Sequence, residues 1–454
     1  MKFIGVLDGV RAVSVIIVLI FHFWQQTWIF PTVNTPFLQF IGISRIDFTP
    51  FAKVGYLFVD MMILISGMLL FLPVAMNVFI GEPLSKWRTY YKKRAIRILP
   101  SYLLCVIALF VYELIMGGYG KPIVFSEAAA DLISHLFFVH TWKVQTYLMT
   151  KLNVVLWTLA VEVWFYVLFP LFASFVRRWK KERSFLGSLI RSLILGVAMI
   201  GVSFVYIYGY ALVPESAFAG TVDGILLKLG SGIRSTYPAM VINQLPAFMG
   251  TYAVGMFGSL LYVFAASKLK RRWYVSLPST ILCLAFGYLI VQMVKQCSVC
   301  DPAAAQVWQL TARLPLALAF MGFILTAAFS ARWFGFIFSN RLMRFLSGIS
   351  YNLYIWHQWL CVQMKNVWRI PAWEGDTPPN MWVGADYTPA QQAAGMEWRT
   401  KYAVLITVFA FAAAILATYL IERPAADLLN GRPSVYNGKL GLLIKQRREK
   451  KPKR

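Results

Sequence analysis

Apolar residues run in long stretches along this chain, and polar ones collect between them. Ten stretches, at about 4–24, 54–79, 98–117, 154–176, 187–210, 245–266, 275–295, 307–329, 346–364 and 402–421, come close to or exceed bilayer-crossing length. About 20 residues of helix cross the roughly 30 Å of hydrocarbon in a membrane. Within it every backbone amide must find a partner in its own segment, which a helix provides. The pattern predicts an all-α, polytopic membrane helix bundle with about ten transmembrane helices. The first stretch carries Asp8 and Arg11, charges with no place in the apolar core of a cleavable signal peptide, so it is expected to be retained.

Composition agrees: 59% hydrophobic and 14% charged residues are the proportions of a membrane protein, not of two or three soluble domains. A net charge of +25 would by itself suggest a nucleic-acid partner. The positions of the charges argue against one. Most of the 44 Lys and Arg fall in alternate connections: Lys86 to Arg97, Arg177 to Arg191, Lys268 to Arg272, Arg332 to Arg344, and the tail from Arg423 to Arg454. Positive residues stay on the cytoplasmic side, so both termini are expected there, with an even number of spans. Residues 1–424 read as one transmembrane domain and 425–454 as a basic cytoplasmic tail that touches anionic headgroups. On the opposite side, the loop at about 365–401 holds Trp368, Trp373, Trp382, Tyr387 and Trp398, suiting either an aromatic belt or a cap over an outward cavity.

The chemistry lies in ionisable groups within the apolar stretches, where they are costly and mark function. Asp8, Arg11 and His22 share one face of the first helix. Arg11 and His22 are eleven residues apart, roughly 16 Å along the axis. Asp8 can pair with Arg11, leaving His22 as a group that exchanges protons near neutrality. In the second stretch Asp60 shares a face with Gly67, where another helix can approach closely. The fourth carries Trp157 and Glu162, and Arg11 and His22 are the expected partners of that carboxylate. The ninth carries Tyr354 and His357 one turn apart. Arg94 and Arg97, at the basic start of the third, form a fork suited to phosphate. For each group the plainer reading is a polar contact between helices, or ordinary flanking charge. Arg313 has no evident partner in the sequence.

Cys297 and Cys300 have metal-like spacing, but no second pair or nearby histidine completes a site, and a loop disulfide is the better expectation. No Gly-rich phosphate loop, metal-ligand cluster, serine elbow or HExxH motif is present. Two classes remain: a transporter or flippase with a proton relay, or an enzyme moving a group from a cytosolic anionic donor to an extracytoplasmic acceptor. A membrane scaffold without chemistry would tolerate neutral replacement of the buried charges.

In order along the chain, Leu7-Asp8-Gly9-Val10-Arg11 with His22, Val59-Asp60 through Ser66-Gly67, Tyr91 to Pro100, Leu156 to Pro170, Ser350-Tyr351 to His357, and Tyr419 to Pro424 resemble the acyltransferase-3 family. These are integral-membrane O-acyltransferases of surface glycans. The resemblance implies an acyl group, usually acetyl, taken from cytosolic acyl-CoA as co-substrate and passed to a saccharide hydroxyl, at the plasma membrane and with no permanently bound cofactor or metal. It sets Arg11 and His22, Arg94 and Arg97, and Trp157 and Glu162 on the family's paired motifs. On this expectation His22 is the general base, because an acceptor hydroxyl must lose its proton as it attacks the thioester. Glu162 or Asp60 would orient the imidazole, Arg11 would brace the network through Asp8 or stabilise an oxyanion, and Arg94 and Arg97 would grip the donor's phosphates.

Overall fold

Long helices account for nearly all the regular structure, as the apolar stretches require. The computed structural model describes residues 5–27, 31–42, 44–177, 185–211, 243–269, 272–300, 302–368 and 389–431. Its main helices are α1 (Val6–Thr27), α2 (Leu57–Ile80), α3 (Trp87–Met116), α4 (Phe125–Leu136), α5 (Trp157–Val176), α6 (Phe185–Ala211) and α7 (Leu245–Lys268). They continue with α8 (Trp273–Ser298), α9 (Pro302–Phe329), α10 (Arg332–Ser339), α11 (Arg341–Val367) and α12 (Pro389–Leu416). A π-helical turn, Ala417–Glu422, leads from α12 into α13 (Arg423–Leu429). Among the described residues the only strands are a short antiparallel hairpin, Thr32–Asn34 against Arg45–Asp47.

Nine helices among the described residues are long and apolar enough to cross a membrane, against about ten expected. The predicted stretch 346–364 lies in α11, a helix of 27 residues that carries Asn352, His357, Gln358 and Gln363 through its middle. Those polar groups are tolerated because α11 packs between two neighbours: Ile349 and Leu353 share a buried cluster with Val15, Leu19 and Phe23 of α1 and with Tyr402 and Ile406 of α12. Exposed apolar surface lies on other helices instead. On α6 and α8 the side chains of Val197, Val205, Ile281 and Leu284 are exposed, giving an apolar exterior suited to hydrocarbon.

A close helix crossing joins α2 and α7. A Cβ on Gly67 would stand 2.9 Å from the Tyr252 carbonyl oxygen, and one on Gly255 would stand 2.4 Å from that of Leu64. Each glycine lets the opposite backbone approach, which is how helices gain contact where lipid tails are as apolar as their side chains. All five cysteines are free, so the disulfide expected between Cys297 and Cys300 is absent. The Cys297 thiol turns inward to the Tyr56 hydroxyl, 3.6 Å away. Trp373, Trp382, Tyr387 and the tail beyond Gly431 lie outside the described residues. Trp368 and Trp398 are inside them, with the Trp398 indole donating to the Trp368 carbonyl at 3.2 Å.

Candidate active site

Four helices and the start of α5 enclose a narrow cavity of about 70 Å³. Arg11 comes from α1, Ser66 from α2, Arg97 from α3, Thr158, Glu162 and Tyr166 from α5, and Ser350, Tyr351 and Tyr354 from α11. The spacing explains the convergence. Thr158, Glu162 and Tyr166 recur every four residues, as do Ser350 and Tyr354, so each helix offers one stripe. On α2 the stripe is Val59, Met62, Ile63 and Ser66.

Glu162 is fixed by two donors: the Ser66 hydroxyl at 2.6 Å and the Tyr166 phenol one turn along α5. Arg11 and Arg97 line the same cavity, yet neither makes a hydrogen bond or ion pair with another described residue. Two guanidinium cations thus face a space whose one lining carboxylate is already engaged by hydroxyls. Such a space favours an anion, because guanidinium matches phosphate and carboxylate oxygens in pairs. Arg94 stands apart from its fork partner: its guanidinium covers the rings of Tyr90 and Tyr166, 5.8 and 5.4 Å from their centroids. It supports the cavity wall from behind.

Asp8 accepts a hydrogen bond from Ser347 of α11 at 3.2 Å, tying the start of α1 to that helix. Further along α1, His22 does not line the cavity. Its ring lies 4.9 Å from that of His357, and its Nδ1 lies 2.8 Å from the Gln25 side-chain oxygen. The ring of His357 is in turn 5.8 Å from that of Tyr354, which is a cavity wall. The polar groups therefore form a broken column, from Arg97 and Arg11 past Tyr354 and His357 to His22.

Neither carboxylate expected to orient His22 does so here. Glu162 is held by Ser66 and Tyr166, and Asp60 is paired with Arg313, their side chains 3.4 Å apart and both buried. Asp60 and Ser66 are six residues apart on α2, which turns them onto different faces. One faces α9 and the other the cavity. Arg313 thereby gains the partner that the sequence did not reveal. Its guanidinium also covers the ring of Phe248 at 3.9 Å, and Phe248 stacks on Trp157 at 5.7 Å. Trp157 so belongs to this buried packing and does not line the cavity.

Several polar groups here were not read from the sequence. Ser66, Tyr166 and Tyr351 stand inside the quoted motifs, but each is an ordinary helix residue until its neighbour is known. Asn352 donates to Glu422 at 2.6 Å and to Thr418 at 2.9 Å, locking α11 to the π-helical turn. Between α3 and α5, His135 and His140 stack almost parallel with centroids 4.0 Å apart, both buried. Asp131 stands beside them, accepting from Tyr119, Thr150 and the Lys151 amide. Burial holds both imidazoles below their ordinary pKa, so both are neutral. Among the described residues no group of three His, Cys, Asp or Glu is placed to hold a metal ion.

Comparison with known proteins fits this arrangement of motifs. Residues 4–423 match the acyltransferase domain of the acyltransferase-3 family. The chain belongs to that family. Among similar proteins, the peptidoglycan O-acetyltransferase OatA of Listeria monocytogenes is 22% identical over 391 residues, covering 84% of this chain and 52% of the relative. A Staphylococcus aureus (strain COL) protein with a provisional O-acetyltransferase name is 21% identical over 369 residues, 79% of this chain and 50% of its own. The O-acetyltransferase OatA of Staphylococcus aureus (strain NCTC 8325) is 26% identical over 212 residues, 45% of this chain and 30% of its own. This acyltransferase-3 chain spans about half the length of the first two relatives. No solved structure matches it.

Proposed function

We propose that this protein is a membrane O-acyltransferase that takes an acyl group, acetyl by the names of its relatives, from cytosolic acyl-CoA and delivers it to a saccharide hydroxyl. The acceptor is extracytoplasmic or lipid-linked, as the name of the peptidoglycan O-acetyltransferase suggests. The observation that carries this reading is the cavity in which Arg11 and Arg97 stand without ion-pair partners among the described residues. Fixed positive charge at a cavity where Arg11 is half-buried and Arg97 is exposed suits an anionic donor. Arg97 lies in the run Lys92-Lys93-Arg94-Ala95-Ile96-Arg97, which the positive-inside rule assigns to the cytosol together with both termini.

In this reading Arg97, with Arg94 behind it, meets the donor's phosphates, and Arg11 lines the path along which the donor's arm reaches toward His22. His22 removes the proton from the acceptor hydroxyl as that oxygen attacks. Glu162, held by Ser66 and Tyr166, lines the same cavity without a contact to Arg11. The membrane is the plasma membrane, and acyl-CoA is a co-substrate consumed in each turnover.

The test uses the full chain in lipid nanodiscs with radiolabelled acetyl-CoA and soluble peptidoglycan fragments. Label in the glycan, released by mild base, is the expected result. Label remaining on CoA, with transport of a lipid-linked sugar by the same preparation, would replace the enzyme by a transporter.

A further inference from the structure

The two imidazoles of the column are held in different ways. His357 is fully buried, and its Nδ1 lies 2.9 Å from the Leu353 carbonyl oxygen and 2.8 Å from that of Tyr354. A carbonyl oxygen only accepts, so Nδ1 carries the hydrogen and the lone pair is on Nε2. That nitrogen has no hydrogen-bond partner among the described residues. A buried acceptor without a partner is uncommon and marks a position that something else fills. His22, by contrast, rests its Nδ1 on the side chain of Gln25, which is exposed. The backbone therefore fixes the tautomer of His357, whereas a surface amide supports that of His22.

We propose that His357, through Nε2, is the second proton-holding group of the transfer site, so that the acceptor's proton is shared by the His22–His357 pair. The proposal rests on the acyl-transfer reading above. The acceptor O–H bond breaks, and its proton passes to an imidazole nitrogen of the pair. The oxygen bonds to the thioester carbonyl carbon, the C–S bond breaks, and sulfur leaves with the electron pair. The proton then returns from the pair to the thiolate, leaving an ester, free CoA thiol and two neutral rings. A pair serves this better than one ring because the proton is taken and returned at different places. His22 stands beyond His357, and His357 adjoins Tyr354 in the wall of the arginine cavity.

The test compares His357→Asn and His357→Gln in the full chain in nanodiscs, with acetyl-CoA and peptidoglycan fragments. Asparagine can still donate to the Leu353 and Tyr354 carbonyls, and neither amide accepts a proton near neutrality. In both variants kcat should fall about 100-fold or more, with KM for acetyl-CoA within about twofold of wild type, since Arg11 and Arg97 are untouched. Undiminished kcat in either folded variant, or a fall in kcat matched by an equal rise in KM, overturns the role of His357. Absence of transfer by the wild-type chain overturns the acyl-transfer reading itself. Should the asparagine variant fail to fold, the glutamine variant decides.

Discussion

Asp60 and Arg313 face each other at 3.4 Å between α2 and α9, both buried, and account for each other's presence in the membrane. Removing one partner strands the other charge in a medium that cannot solvate it, at a cost of about 3 kcal/mol or more. Asp60→Ala and Arg313→Ala should each lower the melting temperature and the membrane level of the protein. The double substitution Asp60→Asn with Arg313→Gln should recover most of the loss and retain acyl transfer. Loss of transfer in that stable double variant would return Asp60 to the chemistry.

His22→Ala should abolish acylation while leaving the protein in the membrane at wild-type amount. Loss of a positioned general base costs about 10²- to 10⁴-fold in rate. His22 is only partly buried and its one hydrogen bond is to an exposed glutamine, so truncation disturbs little packing. Mass spectrometry of the cell-envelope glycan, beside immunoblotting of membranes, measures both quantities. Normal acylation in this variant would end the assignment of His22 as base.

The two arginines of the fork should separate in kinetics. Arg97 lines the cavity, so Arg97→Glu should raise KM for acetyl-CoA by about 10- to 100-fold, the value of one or two charge-assisted hydrogen bonds. Arg94 covers Tyr166 and Tyr90, so Arg94→Gln should chiefly lower stability through lost cation–π contact, by about 0.5–1 kcal/mol, with a smaller change in KM. Equal KM effects at both positions would mean that Arg94 also reaches the donor.

Much of the fold was legible because bilayer thickness imposes one length on every apolar run. The exception, α11, is informative. Its polar residues lower its hydropathy below that of the other long helices, yet the SYNLYIWH segment is buried between α1 and α12 and carries the groups nearest the site. The site itself was less legible. A helical pattern reveals which residues share a face and not which helix that face meets. The Arg11 stripe was therefore readable, but its meeting with Arg97 and Glu162 was not, and Asp60 could not be assigned to Arg313 across 253 positions. His135 and His140 lie in a short helix and a turn between two spans, where no periodicity marks them.

That histidine pair makes stability depend on pH in one direction. Burial holds both rings below their ordinary pKa of 6.5, and a proton on either would stand 4.0 Å from its stacked neighbour. The facing carboxylate, Asp131, is 3.5 Å from His135 Nδ1 and opposes the effect in part. Its oxygens are already shared among Tyr119, Thr150 and the Lys151 amide. Above about pH 6.5 both rings are neutral in the folded and unfolded chain, and the full stability is present. As pH falls below that value the unfolded chain takes up protons that the folded one refuses, so stability declines by up to ~1.4 kcal/mol per pH unit for each ring. The detergent-solubilised protein should therefore melt at a lower temperature at pH 5 than at pH 7. His140→Phe keeps a flat ring on His135 and removes one titrating group, so it should lose less over the same interval. If wild type and variant lose the same, the acid sensitivity lies elsewhere in the chain.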